Sequence, residues 1–346
     1  LVNDICLVID ENDITPQKKA RLKKRVRKLA KRNKLDLKAD TQWIWRLCAA
    51  RLMREEFDHW YGFEFRSKWA SAFIMRDWVY PRWNGGNSKC IVLAEQGVGD
   101  EIVFASVFEE FLKDCPDAVI EADHRLLPVF RRAFPQGNFI SRWVNDAKMI
   151  PQHPENYKKG KYESFVPAAD LLKTYRKGKK PPGTAYLFPD PDKVERKKHY
   201  LDSIGFGKKI GISWMGGRSD LDPEKIRKQD GVYIGIQYKR ENGKIISDPG
   251  PEWVHDCGVD HNDFDDLFAL CSALDEINTV QSVIAHVCGS QGKECNVIKP
   301  PPMFAKQDNP DNNRLKWYYG IGKGSWKMPW YQSNTVFENH ITFKNG

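Results

Sequence analysis

The sequence predicts an α/β fold: two successive units of parallel strands and crossover helices behind a basic helical leader. Three observations carry this prediction. Short apolar runs alternate with stretches of helical periodicity, first over 90–143 and again over 208–301. Glycine turns lead from strand to helix at Gly97 and Gly99, and glycines Gly216 and Gly217 follow the first strand of the later unit. A loop-rich break over 159–192, with proline and glycine at 181–183, separates the two units. The expected domains are 1–75 (leader), 76–190 and 191–346.

The leader is rich in charge and helix formers. Residues 18–34 (KKARLKKRVRKLAKRNK) hold 11 of the 55 Lys and Arg and no acid, leaving 44 basic against 46 acidic residues elsewhere. The formal charge of +9 is therefore local. The segment reads either as a solvated helical arm with Leu22, Val26 and Leu29 in one stripe, or as a contact for nucleic acid or another polyanion. A second helix is expected near 39–58, with Trp43, Leu47, Ala50 and Leu52 on one face.

In the first unit, PRWNGGNSK (81–89) is a loop and Cys90-Ile91-Val92 opens a buried strand. LAEQGVGDEIVF (93–104) turns it into a helix with apolar positions Ile102, Val103, Val107, Phe108 and Phe111. AVIEAD (118–123) reads as strand, HRLLPVFRRAF (124–134) as helix and NFISRW (138–143) as strand. Within the break only a short helix at 167–175 is expected. The second unit offers strands at 208–214, 231–238, 276–281 and 296–301, and helices at 263–275 and 282–292.

Composition excludes several classes. Hydrophobic content of 41% with 12% aromatic residues fits a packed protein of two or three domains. WASAFIM (69–75), among the longest apolar runs, is far too short to span a membrane. The first residue is leucine without a basic-then-apolar leader, so a fragment or processed chain is expected and nothing points to secretion. Eight scattered cysteines without a C-x-x-C pair suit buried apolar roles in a reducing, cytoplasmic setting. His255, Asp256, Cys257 and His261 fit no standard zinc spacing, and no metal site is expected. Asp190-Pro191-Asp192 and Asp263-Phe264-Asp265 read as structural, the second as a helix opening. No Walker loop, G-x-S-x-G elbow or H-E-x-x-H is present.

WYGFEFR (60–66), PRWNGG (81–86), LAEQGVGDEIVFAS (93–106), KIGISWMGGRSD (209–220), DLFALCSALDEINTVQSVIAHVCGSQGK (266–293) and WYYGIGKGSWKMPWYQS (317–333) occur in an order that resembles a known family. This is the glycosyltransferase-like domain that follows tetratricopeptide repeats, related to heptosyltransferases and O-linked N-acetylglucosamine transferase. The resemblance implies a GT-B architecture, two Rossmann-like domains across a cleft, using a nucleotide-sugar donor and no metal. It also implies that Gly99-Asp100 carries the catalytic base, with Gln96 and Gly97 shaping the acceptor side.

The chemistry is consistent with that implication. An acceptor hydroxyl attacking an anomeric carbon must lose a proton, and a carboxylate at the cleft can take it. Asp100 also reads as a helix cap, and the two roles are compatible. On the donor side, Ser282 is a candidate N-cap with His286 one turn on, both suited to a departing diphosphate. His286 also reads as a core histidine. The loop Trp214, Gly216, Gly217 and Arg218 is a further diphosphate candidate, or a surface turn, and Gln237 and Tyr238 are candidates for a nucleobase. Gln281 stands where such families carry an aspartate, which bears on donor identity and on activity. Trp317, Tyr318, Trp326, Trp330 and Tyr331 stack on a ligand or pack the C-terminal segment across the domains. The expected function is an inverting glycosyltransferase with an unspecified acceptor. The rivals are a transferase acting on nucleic acid and an inactive scaffold of the same fold.

Overall fold

The structure is a computed structural model. It describes residues 48–49, 51–60, 80–142, 160–181, 183–216, 221–226, 229–242, 244–299, 319–320 and 324–338, with Ala20 and Lys24 besides. The rest of the basic segment 18–34, the stretch 61–79, Gly217, Arg218, Trp317 and Tyr318 lie outside the described residues.

The first sheet is built from β1 (Cys90–Leu93), β2 (Val119–Ala122), β3 (Asn138–Ser141) and β4 (Ser164–Pro167). All pair in parallel in the order β3-β2-β1-β4. Every residue of β1 is buried, which explains its unbroken apolar run. The helix expected after Gly99 is two helices, α1 (Val98–Ala105) and α2 (Phe108–Asp114), and all five of its predicted apolar positions are buried. The helix α3 (Leu127–Ala133) follows a short 3₁₀ turn at His124–Leu126, and α4 (Asp170–Tyr175) follows β4. Sequence reading placed β4 in a loop. Its four residues end at proline, yet the ladder with β1 continues past it, where the Ala168 N–H donates to the Leu93 carbonyl at 3.0 Å.

The second unit opens with α5 (Pro191–Ile204), capped by Asp190. Then come β5 (Lys209–Ser213), β6 (Val232–Gly235), the hairpin β7 (Tyr238–Glu241) and β8 (Lys244–Ser247), and β9 (Val254–Asp256). The helix α6 (Phe264–Ala273) precedes β10 (Glu276–Val280), and α7 (Val283–Ser290) precedes β11 (Cys295–Lys299). β12 (Ser325–Lys327) and β13 (Asn334–Glu338) close the sheet. Its order is β12-β13-β11-β10-β5-β6-β9, parallel except for β12 at one edge. The expected strand 231–238 stops at Gly235, because the chain turns there toward the hairpin.

Counted within each unit in chain order, the first sheet runs 3-2-1-4 and the parallel part of the second runs 3-2-1-4-5-6. The second is the doubly wound dinucleotide-fold order. In each, connections leave in opposite directions from neighbouring strands, β1 beside β4 and β5 beside β10. A crevice opens at the carboxyl ends of such pairs, where ligands bind in open α/β sheets.

Side chains join the two units directly. Arg132 of α3 makes a bidentate pair with Asp265 of α6, at 2.7 and 2.8 Å. The Arg125 guanidinium lies 4.9 Å over the Phe264 ring. The Tyr186 hydroxyl donates to the Ile102 carbonyl of α1 at 2.8 Å and lies 3.2 Å from the Tyr331 hydroxyl. Trp330 and Tyr331 are buried, as the packing reading expected. Trp330 meets Trp60 edge-on at 5.9 Å, and the Trp60 indole N–H donates to the Arg176 carbonyl at 2.9 Å. The C-terminal segment thus reaches Trp60, far away in sequence, as well as the second unit. The seven described cysteines are free and buried. Among the described residues, no helix is long and apolar enough to cross a membrane.

Candidate functional site

The chain leaves β1 through Ala94 and Glu95 and turns at Gln96, whose φ of 63° is left-handed for a residue other than glycine. Gly97 is the N-cap of α1, so Asp100 falls at the third helical position rather than at the cap itself. Its Oδ2 accepts the Gly97 N–H at 3.2 Å, half of a capping box. The carboxylate is nearly buried and sits in the first turn, where the helix dipole favours negative charge.

Ser282 caps α7: its Oγ accepts the Ile284 N–H at 3.2 Å and lies 2.9 Å from the Thr279 hydroxyl. His286 is one turn deeper and buried, its ring packed 5.8 Å from Tyr319 and 5.8 Å from Tyr331. The Tyr319 hydroxyl donates to the Ser282 carbonyl at 3.3 Å. Gly99 is why the two helices meet. A Cβ there would stand 2.8 Å from His286 Cδ2, so only glycine admits this approach without displacing the ring. The helix that carries Asp100 and the helix that Ser282 caps, far apart in sequence, therefore pack together where Gly99 meets His286.

Other predicted residues take different places. Trp214 packs its indole into an apolar cluster with Ile210, Ile212 and Tyr233, against Gly235 and Gly250, so the side chain is core rather than a donor contact. Gln237 is also turned inward. Its Oε1 accepts from the Ser213 hydroxyl and the Met215 N–H, both at 2.9 Å, and its Nε2 donates to the Tyr238 carbonyl at 2.7 Å. A side chain engaged at both ends braces the loop after β5 and has little capacity left for a base. Tyr238 is exposed, with its ring 5.7 Å from His261. A Cβ on Gly216 would lie 2.6 Å from the Gln281 carbonyl, so this glycine serves the close approach of the loops after β5 and β10. Asp190 and Asp263 are N-caps, each accepting two backbone N–H groups, as the structural reading expected. No group of three or more metal-ligating side chains is found among the described residues.

Sequence reading missed a cluster of charges behind the Gln96 turn. Arg142, just past β3, reaches Glu101 at 2.7 Å, Asp123 at 3.1 Å and the Gln96 carbonyl at 3.2 Å. Glu101 also accepts the Asp123 N–H at 2.7 Å. Glu95 accepts the Ala169 N–H and Glu121 the Ala94 N–H. Single acids inside apolar stretches give no local pattern; the only sequence signal was that acids recur at the carboxyl ends of predicted strands. Burial pushes the Glu101 carboxyl up to about 8 against the pull of Arg142. Burial opposes ionisation of Asp123 as well, but Arg125 and Arg142 outweigh it and hold this carboxyl below the usual range.

A carboxyl whose pKa is raised on folding binds its proton more tightly in the folded chain. Its contribution to stability is then present below the unfolded value near 4.5 and is lost as pH rises toward about 8. Thermal melts across that window should show Glu101→Gln gaining on the parent as pH rises. Melting curves that stay parallel would contradict the raised pKa.

No family model matches the chain. Protein FlbA of Caulobacter vibrioides is 24% identical over 283 residues, covering 74% of this chain and 44% of FlbA. The chain thus spans less than half the length of that relative. Among solved structures, the glycosyl transferase family 9 from Veillonella parvula aligns with a TM-score of 0.44 and 13% identity, over 74% of this chain and 88% of that one. The iron-containing dodecameric glycosyltransferase TibC from enterotoxigenic E. coli aligns with a TM-score of 0.38 and 10% identity, over 67% and 64%. TibC in complex with ADP-D-beta-D-heptose, described as a heptosyltransferase, aligns at 0.36 and 9%, over 63% and 59%.

Proposed function

We propose that the chain is a glycosyltransferase of GT-B type that moves a sugar from a nucleotide-sugar donor to an acceptor hydroxyl with inversion. The observation that carries this reading is that α1, the helix of Asp100, packs through Gly99 against His286 of α7, the two helices following β1 and β10 of the two sheets. Asp100 takes the acceptor proton as the oxygen attacks the anomeric carbon. The new C–O bond forms as the bond from that carbon to the diphosphate oxygen breaks. The leaving diphosphate gathers negative charge beside the Ser282 cap, where backbone N–H groups, the Ser282 hydroxyl and His286 offset it in place of a divalent ion. Gly217 and Arg218 belong to the same proposed donor side, and the exposed Tyr238 ring offers a face for the nucleobase. Free buried cysteines suit work in a reducing compartment.

A thermal-shift screen against UDP-, GDP-, ADP- and CMP-linked sugars tests the reading, followed by turnover with the best binder. One nucleotide class should raise the melting temperature in a concentration-dependent way, since a ligand that binds only the folded state stabilises it. A chain unmoved by all four classes at millimolar concentration would sink the proposal, and stabilisation without turnover would reduce it to a binding scaffold.

A further inference from the structure

The Gln96 carbonyl and the Gly97 N–H belong to one peptide group. Its oxygen accepts from Arg142 at 3.2 Å, and its N–H donates to Asp100 Oδ2 at 3.2 Å. A guanidinium at one end and a carboxylate at the other fix which way this peptide faces. The plane also follows a left-handed glutamine, a strained conformation that lasts only where its surroundings hold it. Arg142 is itself held by Glu101 and Asp123. We propose that Arg142 is a positioning residue: it clamps the Gln96–Gly97 peptide so that its N–H holds the Asp100 carboxylate in place in the first turn of α1. The kinetic part of this inference rests on the glycosyltransferase reading; the peptide clamp does not.

The physical reason is geometric. Arginine presents several N–H groups in a rigid planar fork, so Arg142 hydrogen-bonds the Gln96 carbonyl and Asp123 while its charge lies against Glu101, three groups from three segments of chain. A lysine supplies charge for Glu101 and Asp123 as a single point and cannot keep all three. Without the hold on its carbonyl, the peptide can rotate, relieving the strain at Gln96 and withdrawing the N–H from Asp100.

The test uses Arg142→Lys in the full chain, with selective glycine labelling to follow the Gly97 amide by NMR. The variant should exchange the Gly97 amide hydrogen about tenfold faster and shift its resonance, as expected for loss of a hydrogen bond to a charged acceptor. In transfer assays kcat should fall about 10- to 100-fold at unchanged KM for donor and acceptor, because the base is misplaced while binding is not. Adding Gln96→Gly, which removes the left-handed penalty, should recover part of both effects. If Arg142→Lys does not fold, the pair Arg142→Gln with Glu101→Gln takes its place. Parental Gly97 exchange and resonance in these variants would overturn the clamp. A parent that transfers no sugar would sink the enzyme reading alone, with the amide measurements still deciding the clamp.

Discussion

Asp100→Asn is expected to lower sugar transfer by about 10²- to 10⁴-fold, the range for removing a general base, while leaving donor binding at the parental level. Asparagine retains an oxygen that accepts the Gly97 N–H, so the start of α1 should survive with a stability change within about 1 kcal/mol. This separates the two roles that fall on one side chain. A purely structural carboxylate would make the asparagine variant an ordinary enzyme. A catalytic one leaves a folded, donor-binding and inactive protein. Single-turnover assays with the donor found by thermal shift are the measurement, and parental turnover in the variant would remove Asp100 from the mechanism.

Trp60→Ala should produce the largest loss of stability, about 3–5 kcal/mol, the range for truncating a buried tryptophan. Trp60 is among the largest fully buried side chains. It stacks on Phe57, meets Trp330 edge-on and donates to the Arg176 carbonyl. The change therefore removes apolar contact, an aromatic pair and a donor in one step. Through Trp330 and Tyr331 the effect should reach the site, because Tyr331 packs on His286 and meets Tyr186, which holds α1. Chemical denaturation of Trp60→Ala, Trp330→Ala and the double variant would measure the loss and its coupling, about 0.5–1.5 kcal/mol for the ring pair. Additive losses would mean that the rings do not interact.

Much of the fold was legible because its signals are local. The run at 90–93 is apolar on both faces, and those at 209–213 and 276–280 are buried almost throughout, as parallel strands covered by helices must be. Ser282 and Asp263 announced their helices by cap chemistry that operates over three residues. The misses have an equally physical origin. β4 and β9 are three or four residues long, and without their sheet partners neither carries a periodic pattern. In the hairpin β7–β8 the isoleucines Ile245 and Ile246 are adjacent and so fall on opposite faces, and the strands had no apolar face to reveal them.

The site divides along the same line. Gly99, Asp100, Ser282 and His286 were marked by motif and by helix-terminus chemistry, and of these Gly99 and His286 meet where their helices pack. Trp214 and Gln237 were assigned outward roles because their position after a strand is all that a sequence displays. Their direction was settled by the pocket between Gly235 and Gly250, and by Ser213 and Met215. The sequence by itself determined the two alternating units, the glycine turns and the helix caps, since propensity, periodicity and capping act between near neighbours. Only the tertiary structure decided that Gly99 meets His286, that Arg142 reaches Glu101, Asp123 and Gln96, and that Trp60 packs on Trp330. Those contacts depend on where distant segments come to rest, and residue order carries no local trace of them.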